Sequence, residues 1–402
     1  MLASFPGQTA GVSVFTEHLS DATGLSRLRL ALAYLLGTTT SGLFLPMGGR
    51  WIDLVGTRVV AFGASVGLAI TITALSFVGP MGPLTGMVVM TVGFGFLRFC
   101  GQGLLTLSSR TMISQWFDRR RGLVSSGSSA AFAFVFSLTP ALLFALVDAS
   151  GFRTAWRQLA VGLVVGMGVL VLLFYRNRPE DSGLMIDGDG VAPVGPISFP
   201  DDDPAFTRAA AIRDRRFWII TLPIFSMSVV GTALTFHIVD LGTEVGLDEA
   251  TIVAIFVPVA VISIPITLVS GWLADTVPIL ALAAAMAALQ IVMYLSVPEL
   301  GDPVLRFVAI GSWGASSGLQ AALMAAALPR LFGRTNLGAI AGAQMSALVI
   351  GSALGPFLFA WVQSTAGSYQ RALWFSIIGP VAALVLAAHH GVSGRAMVGV
   401  GS

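Results

Sequence analysis

Arg98 has the clearest chemical potential in this sequence, because it stands well inside a long apolar run at 84–109. A central arginine in hydrocarbon costs about 2.5–3.5 kcal/mol even on mild insertion scales, so its guanidinium must be compensated inside the protein. The acidic residues of the chain fall near the ends of the apolar runs or between them. Since a guanidinium fork binds a carboxylate through two parallel hydrogen bonds, we predict that Arg98 pairs with an anion from outside the chain.

Two polar residues follow Arg98 at helical spacing. Gln102 and Thr106 come next in steps of four, which places them on the same face of an α-helix. They could therefore contact further polar groups of a bound anion. The alternative for Arg98 is structural, with the carbonyls and hydroxyls of neighbouring helices accepting its hydrogen bonds.

Other apolar runs also contain polar or amphipathic side chains that are candidates to line the same pocket. Hydrogen bonding between helices explains each of them equally well. They are Tyr34, Trp313, Gln320 and Gln344. His237 stands close to the end of its run, where its imidazole suits either proton coupling or a gate at the outer surface.

Composition defines the surroundings of these residues. Hydrophobic residues make up 55% of the 402 and charged residues 10%, with a mean hydropathy of +0.86. A soluble domain carries about 25% charged residues, so we expect a lipid bilayer around this chain. The net charge of +2 gives no sign of a nucleic-acid partner, and a single cysteine, Cys100, excludes a disulfide framework. We expect no cofactor and no metal.

The apolar runs predict the membrane spans, since a spanning helix needs about 20 apolar residues. A first segment at 2–19 is short and contains Pro6 and Gly7, and we interpret it as the outer part of a helix that begins upstream. Full-length spans are predicted at 28–49, 59–79, 84–109, 122–147, 157–175, 217–239, 250–272, 278–297, 304–328, 338–362 and 371–390.

Arginine placement predicts the orientation, because basic residues concentrate in cytoplasmic loops. Most of the 22 basic residues fall on one side if the first segment exits outward, which places both termini in the cytoplasm. The longest polar stretch contains several prolines and the acidic run Asp201–Asp203. We interpret residues 177–216 as an inner linker between an N-terminal bundle at 1–176, with helices 1–6, and a C-terminal bundle at 217–402, with helices 7–12.

The two halves share a short pattern. Gly49-x-x-x-Asp53 follows the second helix, and Gly271-x-x-x-Asp275 follows the eighth. Both loops fall on the predicted inner face. Tandem halves of this kind are typical of transporters, whose substrate site lies near the membrane midplane between the repeats.

The loop with Gly49, Asp53, Gly56 and Arg58 resembles the signature loop between the second and third helices of the major facilitator superfamily. The resemblance implies an all-α membrane protein with two six-helix bundles, related by a pseudo-two-fold axis, that works by alternating access. It also implies that the four residues act in gating, with the Asp53 carboxylate facing the start of the eleventh helix near Gly338. A helix N-terminus stabilises a nearby anion by about 0.3–1 kcal/mol.

Four further stretches extend the resemblance. The copy at Gly271 and Asp275 has the same pattern without its basic residues, which puts its gating role in question. The stretches 116–122 and 236–242 resemble the monocarboxylate and oxalate–formate transporter branch. Arg98-x-x-x-Gln102-Gly103 is similar to an arginine-glutamine-glycine motif of the superfamily, with one extra residue between arginine and glutamine.

These observations predict a monomeric secondary transporter that moves a small organic anion, with a carboxylate as first choice, across the cytoplasmic membrane. Proton coupling stays open as a second partner. The alternative within the superfamily is an efflux antiporter for drugs or metabolites. A more distant alternative is an intramembrane serine hydrolase, because Gly314-Ala315-Ser316-Ser317-Gly318 fits G-x-S-x-G and His237 could be its base. A receptor that kept the fold without transporting is the last alternative.

Overall fold

The computed structural model describes residues 2–188 and 206–398, and its secondary-structure elements in these ranges are all helices. Short 3₁₀ helices lie at Leu2–Gly7, Glu180–Ser182, Ile186–Gly188 and Val297–Glu299, and π-helical segments lie at Arg98–Leu105 and Leu163–Met167. The α-helices are α1 (Thr9–Thr23), α2 (Arg27–Leu75), α3 (Pro83–Leu97), α4 (Thr106–Trp116), α5 (Arg121–Ser150), α6 (Phe152–Gly162), α7 (Gly168–Phe174), α8 (Arg208–Arg213), α9 (Arg215–Glu244), α10 (Glu249–Ala254), α11 (Phe256–Thr276), α12 (Ile279–Ser296), α13 (Pro303–Phe332), α14 (Leu337–Ala366), α15 (Gln370–Ser376) and α16 (Ile378–Val398).

The long helices have apolar surfaces that suit a lipid bilayer. Eight helices within the described ranges are long and apolar enough to cross a membrane. Large apolar side chains such as Leu84, Phe174 and Phe307 remain 77%, 72% and 79% exposed. Large apolar side chains left exposed in this way are stabilised by contact with hydrocarbon. The predicted all-α membrane fold is confirmed.

Helix α2 corrects the predicted break between the second and third spans. The chain stays helical through Gly49 and Asp53 and is interrupted at Gly56, whose φ of 86° and ψ of 161° are open to glycine and strained for other residues. The Asn177 side chain occupies the space in which a Cβ at Gly56 would lie. The turn therefore comes after the signature aspartate, which leaves Asp53 on regular helix.

The contacts of the chain divide it into two compact units. The first holds Met1–Asp118, Ala131–Asp203 and Arg334–Ile350, and the second holds Arg119–Ala130, Pro204–Gly333 and Gly351–Ser402. Helices α5 and α14 therefore contribute residues to both units. The bundle boundaries at 176 and 217 stay predictions, and the acidic run Asp201–Asp203 lies outside the described residues.

In the first unit, α2 packs against α3, the π segment Arg98–Leu105 and α6. Its core contains the fully buried side chains of Phe15, Leu68, Phe94 and Leu97. In the second unit, α13 packs against α11 and α12, and α9 packs against α16 and α12. Each unit therefore has its own apolar core, within which a few polar side chains are held.

Candidate functional site

Arg98 is completely buried, at 0% exposure, at the start of the π segment. Its Nη1 donates to the carbonyl oxygen of Gly7 at 3.2 Å and to the hydroxyl of Thr9 at 3.2 Å. The Tyr34 ring lies 5.5 Å from its Cζ, within range for a cation–π interaction. The guanidinium is thus held in one place by α2 and by the N-terminal segment, which comprises the 3₁₀ helix Leu2–Gly7 and α1.

Two glycines bring the N-terminal segment close enough for these bonds. A Cβ at Gly7 would lie 2.7 Å from the Gly101 Cα, and a Cβ at Gly101 would lie 2.6 Å from the Gly7 Cα. No larger residue fits at either position without moving backbone, which explains how the Gly7 carbonyl reaches Arg98.

The π segment corrects the assumption of regular helical spacing after Arg98. Hydrogen bonds in a π-helix run from i to i+5, and such segments are frequent at functional sites. The segment covers the stretch in which this chain has one residue more than the arginine-glutamine-glycine motif. The wider turn accommodates that residue, so Gln102 follows Arg98 in a π-helical rather than an α-helical step.

The two residues that follow Arg98 have different surroundings. The Thr106 hydroxyl accepts a hydrogen bond of 3.3 Å from Gln8 Nε2, which also donates to Ser4 Oγ at 3.0 Å. Thr106 is therefore engaged with the N-terminal segment. Gln102 is 8% exposed, and its Oε1 is buried with no hydrogen-bond partner among the described residues. Its carbonyl oxygen is the acceptor that stays open beside Arg98.

The other pocket candidates divide between the units. Tyr34 and Gln344 belong to the first unit. The buried hydroxyl of Tyr34 and the buried Nε2 of Gln344 have no hydrogen-bond partner in the described part of the chain. Trp313 and Gln320 belong to the second unit, where Trp313 packs edge-on against Phe256 at 5.4 Å. Gln320 is half-buried. The first unit therefore contains Arg98 and four of its six companions.

Asp53 accepts two backbone hydrogen bonds from the start of α14. Its Oδ1 lies 2.7 Å from the Gly338 nitrogen, and its Oδ2 lies 2.7 Å from the Ala339 nitrogen. A Cβ at Gly49 would overlap the Gly338 carbonyl, so that glycine lets the two helices touch. A carboxylate in this position satisfies amides that have no partner inside their own helix and also faces the positive end of the helix dipole.

Arg58, which the resemblance groups with Asp53, has other partners. Its Nη2 donates to the Leu172 carbonyl in α7, and its backbone nitrogen donates to Asn177 Oδ1 at 3.0 Å. The break at Gly56 redirects the chain, and this turns Arg58 away from Asp53. Arg58 and Asn177 instead hold the turn against the end of α7.

A second polar contact at the start of α14 was not found by sequence reasoning. Arg334 Nε donates to Gln115 Oε1 at 3.2 Å, Gln115 Nε2 donates to the Arg334 carbonyl at 3.3 Å, and Arg334 Nη2 donates to the Gln115 carbonyl. Both side chains are 6% exposed, and Glu180 lies 3.9 Å from the guanidinium. A cavity of about 250 Å³ lies beside them, lined by Asp53, Thr111 and Gln115 among others.

The repeated copy in the second unit has a different partner. Asp275 Oδ1 pairs with Arg330 Nη2 at 2.7 Å, which joins the end of α11 to the end of α13. Both side chains are partly exposed, at 14% and 25%. Gly271 is buried in α11 one turn before this aspartate. The same glycine–aspartate pattern thus binds a side chain here and a helix end in the first unit.

His237 contacts two neighbouring elements in the second unit. Its Nε2 lies 3.0 Å from the Pro356 carbonyl oxygen, and its Nδ1 lies 3.4 Å from the Tyr369 hydroxyl. Both ring nitrogens therefore have partners other than Ser316, whose Oγ is buried inside α13. The strand-to-helix turn that a nucleophilic serine of this motif needs is missing, which removes the basis of the hydrolase alternative.

The chain is similar to known transporters over most of its length. Residues 1–356 match the family described as Major Facilitator Superfamily. Monocarboxylate transporter 11 of Mus musculus is 28% identical over 89% of this chain and 75% of its own length. Monocarboxylate transporter 11 of Homo sapiens is 25% identical over 90% of this chain and 73% of its own length.

A solved structure shows the same fold. The human organic anion transporter MFSD10 (TETRAN) superposes with a TM-score of 0.66, covering 94% of this chain and 88% of its own, at 14% sequence identity. An identity this low concerns the fold alone, and the fold is the one that the resemblance at residues 49–58 implied.

Proposed function

This chain belongs to the Major Facilitator Superfamily and is a multi-pass membrane transporter, and from that premise we propose that it carries a small organic anion, in the first place a carboxylate. Transport would proceed by alternating access across the cytoplasmic membrane, with both termini on the cytoplasmic side and the monomer as the working unit. The names of its monocarboxylate relatives support this substrate class.

The buried, fixed guanidinium of Arg98 is the observation that carries the proposal. A charged side chain inside a membrane helix raises the free energy of membrane insertion. It is therefore retained for function rather than for stability. The contacts from Gly7, Thr9 and Tyr34 orient the guanidinium before any ligand arrives. Orientation in advance reduces the entropy lost on binding, and the open Gln102 Oε1 is an acceptor for a hydroxyl group of the substrate.

The Asp53 contact supports the alternating-access part of the proposal. The carboxylate holds the first turn of α14, a helix whose later residues belong to the second unit. We infer that transport requires this contact to form and break in each cycle. The backbone amides of a helix start offer a strong bond to a charged partner and an ordinary one to water, so a two-state contact is energetically feasible.

Uptake into proteoliposomes, with a panel of labelled carboxylates, tests the substrate class. Arg98→Lys keeps the charge and loses the fork, whereas Arg98→Gln loses both. We expect affinity to fall by tens to thousands of times in Arg98→Gln, since a buried charged contact contributes about 2–5 kcal/mol, and by less in Arg98→Lys. Arg213→Gln removes an exposed arginine from α8 and is the matched control.

Folding is measured separately by thermal unfolding in detergent. A well-folded Arg98→Gln protein that takes up a carboxylate with unchanged affinity would remove Arg98 from the anion site. A wild-type protein that takes up none of the panel, but accumulates a neutral or cationic solute, would overturn the substrate class itself.

A further inference from the structure

His237, Tyr369 and Asp240 form a hydrogen-bonded cluster in the second unit. His237 and Asp240 lie in the last two turns of α9, and Tyr369 immediately precedes α15. The Tyr369 hydroxyl lies 3.4 Å from His237 Nδ1 and 3.4 Å from Asp240 Oδ2, and its ring stacks on the imidazole with centroids 5.1 Å apart. His237 Nδ1 and Asp240 Oδ2 are 3.9 Å apart.

The Pro356 carbonyl defines the state of the imidazole. A carbonyl oxygen can only accept, so His237 Nε2, at 3.0 Å, carries a hydrogen and donates it. In a neutral imidazole with a hydrogen on Nε2, Nδ1 is an acceptor. A second proton can bind only at Nδ1, which is the nitrogen that faces Tyr369.

Tyr369 has one hydroxyl hydrogen and two acceptors at the same distance. While His237 is neutral, the hydroxyl donates either to Nδ1 or to Asp240 Oδ2, so one of the two contacts has no hydrogen. When Nδ1 binds a proton it becomes a donor to the Tyr369 oxygen, and the hydroxyl is then committed to Asp240. All three groups are joined, with a cation at one end and a carboxylate at the other.

We propose that proton uptake by His237 completes the hydrogen bonds among His237, Tyr369 and Asp240. The completed cluster fixes the start of α15 to the end of α9, as a latch that holds at low pH and loosens as pH rises. The proposal rests on the proposed transport function for its purpose, since it gives the carrier a pH-sensitive contact at the end that arginine placement predicts to face outward. It does not depend on which solute is carried.

Two carboxylates lie close to the latch. Asp240 is 66% exposed, and Glu244, one turn later in α9, accepts a hydrogen bond from Ser368 Oγ at 3.5 Å. These two carboxylates and Tyr369 are the titratable groups that the described residues place against the imidazole and its partners. From α14 the facing group is the uncharged carbonyl of Pro356.

Hydrogen–deuterium exchange of the full-length protein in detergent tests the latch without any substrate. Protection factors of the amides at 370–376, corrected for the intrinsic pH dependence of exchange, are compared at pH 5 and pH 8. We expect about tenfold greater protection at pH 5 in the wild-type protein. Tyr369→Phe keeps the stacked ring and loses the hydroxyl, and His237→Gln keeps a donor for Pro356 but binds no proton; both should lose the pH effect.

Tyr294→Phe is the matched control, because this buried tyrosine of the same unit is hydrogen-bonded to Ser226 and is not part of the His237–Tyr369–Asp240 cluster. It should keep the tenfold effect. Asp240→Asn replaces a side chain that is 66% exposed, so it leaves the buried core unchanged, and it should reduce the pH effect to less than half. Equal protection at both pH values in the wild type, or an unchanged effect in Tyr369→Phe or Asp240→Asn, would overturn the latch. A failure of carboxylate uptake leaves this result standing and counts only against the proposed substrate.

Discussion

The two Gly-x-x-x-Asp loops share a sequence pattern and bind different kinds of partner. Asp53 accepts from two backbone amides at the start of α14, with both distances at 2.7 Å. Asp275 pairs with the Arg330 side chain. Backbone amides at a helix end cannot move unless the helix moves, whereas an arginine side chain can rotate away by itself. The comparison predicts that the first loop has the larger part in gating, because its aspartate holds the start of a helix, whereas the second loop joins two helix ends.

Replacing Asp53 should have the largest effect. Asp53→Asn removes the charge from two hydrogen bonds, and bonds to a charged group contribute about 1.5–3 kcal/mol. We therefore expect the closed contact to lose between about tenfold and a hundredfold in population, with a matching loss of uptake. The labelling rate of Thr111→Cys, which lines the adjacent cavity, measures the opening in a Cys100→Ser background. Unchanged labelling together with normal uptake would remove Asp53 from gating.

A methyl group at Gly49 should have the next largest effect. Gly49→Ala places a Cβ against the Gly338 carbonyl, and relief of such overlap requires a backbone shift that costs about 1–3 kcal/mol. We expect Thr111→Cys labelling to rise severalfold. Gly63→Ala, in the same helix, is the control because its Cβ would meet nothing within 4 Å. Equal labelling in the two alanine variants would show that close packing at Gly49 is unimportant.

Changes at the Asp275 copy should have the smallest effect. Asp275→Asn or Arg330→Gln breaks a partly exposed ion pair, and such pairs contribute about 0.2–1 kcal/mol. We expect uptake to change less than threefold, and a double-mutant cycle of thermal stability to give a coupling within that range. If Asp275→Asn reduced uptake as much as Asp53→Asn does, the two loops would be equivalent and the comparison would fail.

Sequence patterns were sufficient for the class of protein and for the fold. The apolar runs correspond to the helices from α2 to α7 and from α9 to α16, because hydrophobicity over about 20 residues is a local property of the chain. The superfamily resemblance, drawn from residues 49–58, is confirmed by the family match. The roles of Arg98, Asp53 and His237 stay predictions, and the experiments above address each of them.

The details of the site were beyond local patterns. The π segment after Arg98 depends on how α3 and α4 pack against α2 and the N-terminal segment. The same is true of the direction of Arg58, which follows from the break at Gly56. In the sequence, the only short-range signals of these two features are the extra residue between Arg98 and Gln102 and the glycine at position 56.

By itself, the sequence determined that the chain lies in a membrane, that it is helical, and that one arginine stands deep in a span, because each of these follows from the order of apolar and charged residues. Tertiary structure decided which groups those residues meet. Gln115 reaches Arg334 and Tyr369 reaches His237 across more than a hundred residues of chain. Helix packing determines which residues so far apart become partners. It depends on many weak contacts over the whole unit, so the sequence around either residue does not indicate the pairing.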